Sequence, residues 1–278
     1  MAKIEHITLY HESTAPTLDA EALAAYLGER TGVAALRIRG PFLLEHGCPD
    51  ALPDLARSLA RLKVREVNSP PAESEPAHAE VEFERRRLAN QDRGPFGVLY
   101  DGFGFQSLLR SLMPPKEVRL DRVYLVFTNR LLGTWDEDDR RCHLRAIILG
   151  IPAIISTTGL VEAPAKPREF YLARQQLAAA ARPEMADALL KERFKGQFLD
   201  HDDPRLTEVV KGYATQAIIY QLTGEPFCPN PSCRLFNAHW QEGLLRAQLT
   251  REWEYCERHE KLLAQLRAAE RREVKGER

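Results

Sequence analysis

The chain of 278 residues is 44% hydrophobic and 28% charged, which excludes a disordered polymer and leaves enough apolar surface for a sizeable core. With 39 basic and 40 acidic residues its formal charge is −1, so bulk electrostatics does not commit it to nucleic acid. No apolar run approaches the roughly 20 residues that cross a bilayer, and the opening MAKIEHITLYHES lacks a basic region followed by an apolar one, so a cytoplasmic protein without membrane contact is expected.

Residues 4–10 alternate apolar and polar side chains as a strand does. Residues 18–27 carry apolar side chains at helical spacing, with Gly32 as a stop. A second strand is expected at 33–38. Leu52, Leu55, Leu59 and Leu62 recur every three or four residues, an amphipathic helix within 51–67. The stretch 68–78 (NSPPAESEPAH) reads as an exposed Pro-rich loop, and the triplet Arg85, Arg86, Arg87 as a solvated face. From Gly97 a second α/β stretch follows. It has a turn and helix ended by Pro114, a buried strand at 122–128, and strands at 146–149 and 153–157 joined by Gly150-Ile151-Pro152. Residues 204–223 form the clearest helix: Asp203 can cap it, Pro204 suits the first turn, and Gly224 stands where a left-handed residue closes a helix. The stretch 238–272 predicts one long closing helix or two.

Cysteine placement carries most of the chemistry. Cys48 and Cys142 stand alone and read as buried small hydrophobes, whereas Cys228, Cys233 and Cys256 gather in the last fifth of the chain. A reducing compartment disfavours disulfides, so clustered thiols point to metal or catalysis. In Cys228-Pro-Asn-Pro-Ser-Cys233, Pro229 and Pro231 stiffen a loop that can offer two thiolates to one ion. Cys256 and His259, three apart on a helix, share a face and can supply the other half. Three thiolates and an imidazole select zinc over hard cations, and four protein ligands leave no open position, so a structural zinc is expected. A rival ligand set replaces His259 with His239.

This C-terminal segment resembles the archaemetzincins, a family of zinc metallopeptidases with the signature HExxHxxGxxxCxxxxCxM and a CxxC further on. Gly224, Cys228 and Cys233 keep the Gly-xxx-Cys-xxxx-Cys spacing, and Cys256-Glu-Arg-His259 stands for the downstream pair. The segments IISTTGLVEAPAKPREFY and CRLFNAHWQEGLL are similar to archaeal proteins labelled metallopeptidases. The resemblance implies a metzincin-like layout: α/β (α+β), a mixed sheet with packed helices, in one domain over 1–278 with a zinc knuckle and closing helices at 224–272. It also places the family's ligand histidines at Gln216, Tyr220 and Phe227, its general base at Ala217 and its methionine at Leu235. A zinc peptidase needs three protein ligands, a polarised water and a carboxylate. Those residues do not supply that set, and no HExxH occurs in the sequence.

Three other clusters could carry chemistry. His239 and Glu242 could pair on a helix face as acid and base. Asp136 to Asp139 with His143 could hold a metal or cap a helix. Thr157, Thr158, Gly159, Glu162, Lys166 and Arg168 could hold an anion in the 157–168 loop, or form a plain connection. No GxGxxG, P-loop or GxSxG motif is present. The leading expectation is a metallopeptidase homologue, a pseudoenzyme, that keeps a structural zinc and takes a peptide or protein partner, with no nucleic acid. The alternatives are a metal-dependent hydrolase with a site relocated to His143 and His239, and a small-molecule enzyme built on the 157–168 loop.

Overall fold

Three strands buried on both faces form the middle of the larger sheet. In the computed structural model, which describes residues 3–12, 15–47, 51–71, 74–90, 97–180, 183–249 and 253–274, the elements follow in the order β1 (His6–Tyr10), α1 (Ala20–Thr31), β2 (Ala35–Arg39), α2 (Phe42–His46), α3 (Leu52–Arg61), α4 (His78–Ala89), β3 (Leu99–Asp101) and α5 (Gly102–Leu112). Next come β4 (Arg122–Thr128), β5 (Leu131–Asp136), β6 (Arg141–Arg145), β7 (Ile147–Ile148), β8 (Ala153–Ser156), α6 (Thr157–Glu162), α7 (Arg168–Ala180), α8 (Pro183–Arg193), α9 (Leu206–Thr223), α10 (Gln241–Leu249) and α11 (Glu257–Val274). The expected mixed α/β class holds. Cys48 lies outside the described residues.

The larger sheet has the order β2-β1-β4-β8-β7, and the smaller one β3-β5-β6. In the larger sheet β2, β1, β4 and β8 run parallel, and β7 closes one edge antiparallel to β8. Along β4, Val123, Leu125 and Phe127 enter one core while Tyr124 and Val126 enter the other, the period-two alternation of a strand covered on both sides. The first core also contains residues of α1, α9 and α11; the second contains residues of α2, α3 and α5. Among the described residues no helix is long and apolar enough to cross a membrane.

Helix α9 is buried nearly all round, from Leu206 to Leu222. Its C-terminal end follows the sequence: Gly224 adopts φ 78° while its N–H bonds Tyr220 O at 2.7 Å. The N-terminal end corrects it: the helix starts at Leu206 behind Arg205, which makes no side-chain cap, and the Asp203 carboxylate accepts from Arg205 N at 2.9 Å in the turn before it. A side chain at Gly224 would meet nothing within 4 Å. Gly224→Ala therefore tests backbone conformation alone, and a loss of about 1 kcal/mol is expected, read as a small fall in melting temperature.

Several local expectations are corrected. The helix sought within 51–67 stops at Arg61, and Lys63 instead bridges to Tyr100. Helix α4 starts at the end of the Pro-rich loop, and its arginines diverge. Arg85 and Arg86 are exposed and pair with Glu82 at 2.7 and 2.9 Å, whereas Arg87 is 5% exposed and donates to Tyr100 Oη at 3.2 Å. The stretch after β8 is helix α6, not a ligand loop. Ser156 caps it through Gly159 N at 2.8 Å, and the Thr157 and Thr158 hydroxyls bond the carbonyls of Thr128 and Asn129 at 3.3 and 2.7 Å. Those hydroxyls are spent on the scaffold. Lys166 pairs with Glu162 at 3.5 Å.

Candidate metal centre and adjoining cleft

After Gly224 the chain folds back in a short loop whose turn residues determine its shape. Asn230 Oδ1 accepts from Ser232 N at 2.9 Å, and Asn230 O from Cys233 N at 3.0 Å, an Asx-turn between two prolines of fixed φ. Cys228 N donates to Leu235 O at 2.9 Å and Phe236 N to Cys233 O at 2.9 Å, so both thiols are held on one side of the loop. Cys256 precedes α11, and its carbonyl accepts from His259 N and Glu260 N at 3.0 and 2.9 Å. One helical turn then brings His259 onto the same face as Cys256.

The four side chains converge. Their ligand atoms all lie within 4.8 Å of one another. Cys228 Sγ is 3.8 Å from Cys256 Sγ, and His259 Nδ1 is 3.7 Å from Cys233 Sγ and 3.1 Å from Cys256 Sγ. A tetrahedral ion with metal–sulfur bonds of about 2.3 Å spaces its sulfurs about 3.8 Å apart. The residues therefore fit zinc, with three sulfurs and one imidazole nitrogen facing a common centre. Two backbone groups reinforce the fit: Asn230 N donates to Cys228 Sγ at 3.4 Å and Cys256 N to Cys233 Sγ at 3.5 Å, the outer bonds that orient thiolate ligands.

Electrostatics point the same way. Burial pushes the Cys228 thiol above its ordinary range. It pushes Cys233 up to about 12, with the neighbouring Cys228 and Cys256 sulfurs adding to the rise. Burial, then the Arg258 charge, lowers His259. Bare thiolates are therefore costly in this position, and a divalent cation is the group that makes them favourable. The imidazole is kept neutral, the form that ligates.

Arg234 anchors the loop to the core. It is fully buried, pairs with Glu208 of α9 and with Glu254 at 3.1 Å, and donates to Glu208 O at 3.0 Å. No motif announced it, because a single arginine between Cys233 and Leu235 has no spacing signal.

Beside the knuckle lies a cleft of about 400 Å³ between the 144–149 segment and α9. Gln216, Tyr220 and Phe227 all line it, as does His239, so the positions implied for the ligand histidines do meet at one wall. Ala217 instead enters the core. Strict HExxHxxG spacing from Gly224 falls one residue later, on Ala217, Ile218 and Gln221, which corrects the register stated for the helix. Ala217 and Ile218 are buried in the core, and Gln221 bonds the carbonyls of Leu120 and Arg122 at 2.8 and 2.6 Å. Neither register gives a histidine pair. Knuckle and cleft share structure, because Phe227 adjoins Cys228 and Phe236 bridges to Cys228.

The alternative site residues separate. Asp136, Asp139 and His143 group on the β5–β6 hairpin, with His143 Nε2 2.8 Å from Asp139 Oδ2. Asp136 Oδ1 also accepts from the backbone of Asp138 and Asp139 at 3.0 Å each, shaping the turn. His239 and Glu242 are exposed and join neither metal-type group found among the described residues. His143 and His239 therefore share no metal-type group among the described residues.

A mixed α/β protein with helices on both faces of its larger sheet and a largely buried Cys3His group of zinc-binding geometry is the class that these observations define. The chain belongs to the family described as "Probable metallopeptidase family (DUF6775)", which it matches over residues 3–266. No curated protein is significantly similar in sequence. A solved structure, the zinc-dependent peptidase from Methanocorpusculum labreanum (strain Z), is similar at 16% identity over 92% of this chain and 99% of that one, with a TM-score of 0.42.

Proposed function

We propose that this metallopeptidase-family chain is an archaemetzincin-like homologue that uses zinc as a structural staple and binds peptides in the adjoining cleft without zinc-peptidase catalysis. The observation that carries the proposal is the contrast between two neighbouring sites. Four protein ligands surround the knuckle centre, which leaves no coordination position for water. The cleft wall carries Gln216, Tyr220 and Phe227 and the strictly spaced positions of α9 are Ala217, Ile218 and Gln221, so neither register supplies the histidine pair and glutamate that would hold a catalytic ion and activate its water. The cleft can still recognise a chain: β7 is the last strand of its sheet, and its outer edge offers backbone groups for strand addition.

Elemental analysis joined to a peptidase assay tests this reading. One tightly held zinc per chain and no hydrolysis of a casein-derived peptide mixture above blank, with or without added zinc, are expected. Hydrolysis that a chelator abolishes and zinc restores would overturn it.

The Asp136–Asp139–His143 group favours a second reading, a relocated hydrolytic metal. That reading requires a second, exchangeable metal lost in His143→Ala. A metal content unchanged by that substitution is the expected result.

A further inference from the structure

We infer that the cleft selects peptides bearing a carboxylate, and that Arg145 is the residue that receives it. This rests on the proposed peptide-binding role of the cleft and names the chemistry of its ligand. Among the described residues lining the cleft there is no aspartate or glutamate, while Arg145 lies in its wall. The Arg145 guanidinium donates from Nε to Thr134 Oγ1 at 2.8 Å. The Asp136 carboxylate of the same hairpin senses its charge, but no carboxylate among the described residues comes within ion-pair distance of it. An arginine so placed keeps its two terminal nitrogens for a ligand, and the planar fork matches a carboxylate.

The backbone beneath this side chain is fixed. Arg145 pairs with Leu132 in the β5–β6 ladder. A Cβ on Gly159 would come 2.3 Å from Arg145 O, so only glycine lets α6 pack so closely on that carbonyl. A bound group would therefore meet a donor already oriented by the hairpin and by Thr134.

A second, independent observation sits across the cleft. Gln216 is 1% exposed, and its Oε1 has no hydrogen-bond partner among the described residues, while its Nε2 reaches Phe236 O only at 3.5 Å. A buried acceptor left open is costly unless something donates to it. A peptide N–H is such a donor. Tyr213, Tyr220, Phe227 and Phe236 also line the cleft and supply apolar surface. The ligand these walls describe is a short peptide with a carboxylate at Arg145, a backbone N–H at Gln216 and an aromatic or aliphatic side chain on the apolar surface.

Calorimetric titration with three peptides tests the inference: acetyl-Ala-Ala-Phe as the free acid, the same peptide as its C-terminal amide, and acetyl-Ala-Glu-Phe amide. At least one carboxylate form is expected to bind about ten-fold or more tightly than the neutral amide. The free acid being favoured marks a chain terminus as the source, and the Glu peptide being favoured marks a side chain. Arg145→Gln, checked for an unchanged melting temperature, is expected to erase the preference. Equal binding of all three peptides by the unaltered protein would overturn the inference while leaving the peptide-binding role intact. Persistence of the preference in Arg145→Gln would overturn it as well. Failure of every peptide to bind would overturn both.

Discussion

Serine in place of Cys256 is expected to strip zinc from the protein and lower its melting temperature by about 10 °C, from a loss of about 4–5 kcal/mol. Cys256 Sγ stands 3.8 Å from Cys228 Sγ and 3.1 Å from His259 Nδ1, so it touches both halves of the proposed metal centre. A serine hydroxyl does not ionise near neutral pH and is a poor zinc ligand. The variant would retain two thiols and an imidazole packed where burial disfavours charge. Structural zinc contributes an apparent 10–16 kcal/mol in small zinc-finger peptides, against a total stability of about 5–15 kcal/mol for an ordinary domain; retaining even part of that affinity would be decisive here. Elemental analysis and calorimetry on the same preparation give the readout. Cys142→Ser is the control. Cys142 is buried beside Gly133 and lies outside the metal-type group, so its replacement is expected to leave zinc content unchanged.

Glu84→Gln is expected to cost about 3–5 kcal/mol, because removing one partner of a buried charge cluster leaves the others uncompensated. Glu84 is fully buried. It accepts from Tyr100 Oη at 2.7 Å and pairs with Lys63 at 3.2 Å and Arg130 at 3.4 Å. Arg87 joins through Tyr100, and also bonds Asn129. Burial, followed by the Arg130 charge, already holds Arg87 below the ordinary arginine range, and burial pushes Tyr100 up to about 12. Without the carboxylate, Lys63, Arg87 and Arg130 would face one another with far less compensation. Thermal unfolding of Glu82→Gln, on the exposed side of the same helix, supplies the comparison. Glu82 pairs only with solvent-facing arginines, and its replacement is expected to change the melting temperature little.

These two sites differ in how much of them a sequence can announce. Cys228, Cys233, Cys256 and His259 are visible because coordination restricts residue type and spacing at once, and so few residues satisfy both. The C-terminal end of helix α9 is legible for a similar reason, since Gly224 meets a chemical requirement there; its start is not, because Arg205 rather than Asp203 precedes Leu206. Nothing comparable distinguishes Arg87 from Arg85 and Arg86. The separation depends on which side of α4 meets Tyr100, and Tyr100 belongs to β3, a strand of three residues with no periodic signal of its own. The hairpin of β5 and β6 carries no such signal, because Gly133 and Thr134 on one strand and Arg141, His143 and Arg145 on the other break an apolar alternation. The cleft is harder still to read: Arg145 and Gln216 lie 71 positions apart, and only the fold places them on one cavity.

The interval between the two halves of the knuckle has a thermodynamic consequence of its own. Cys228 and Cys256 are 28 residues apart, and helix α10 lies wholly inside that span. An ion shared between them would act on the denatured ensemble as a cross-link does, removing configurations that the open chain would otherwise explore. For a closed ring of this size the entropic contribution is about 3–4 kcal/mol, gained without any further native contact. Demetallation would thus lengthen the free tether around α10, so this helix should be among the first segments to gain amide hydrogen exchange.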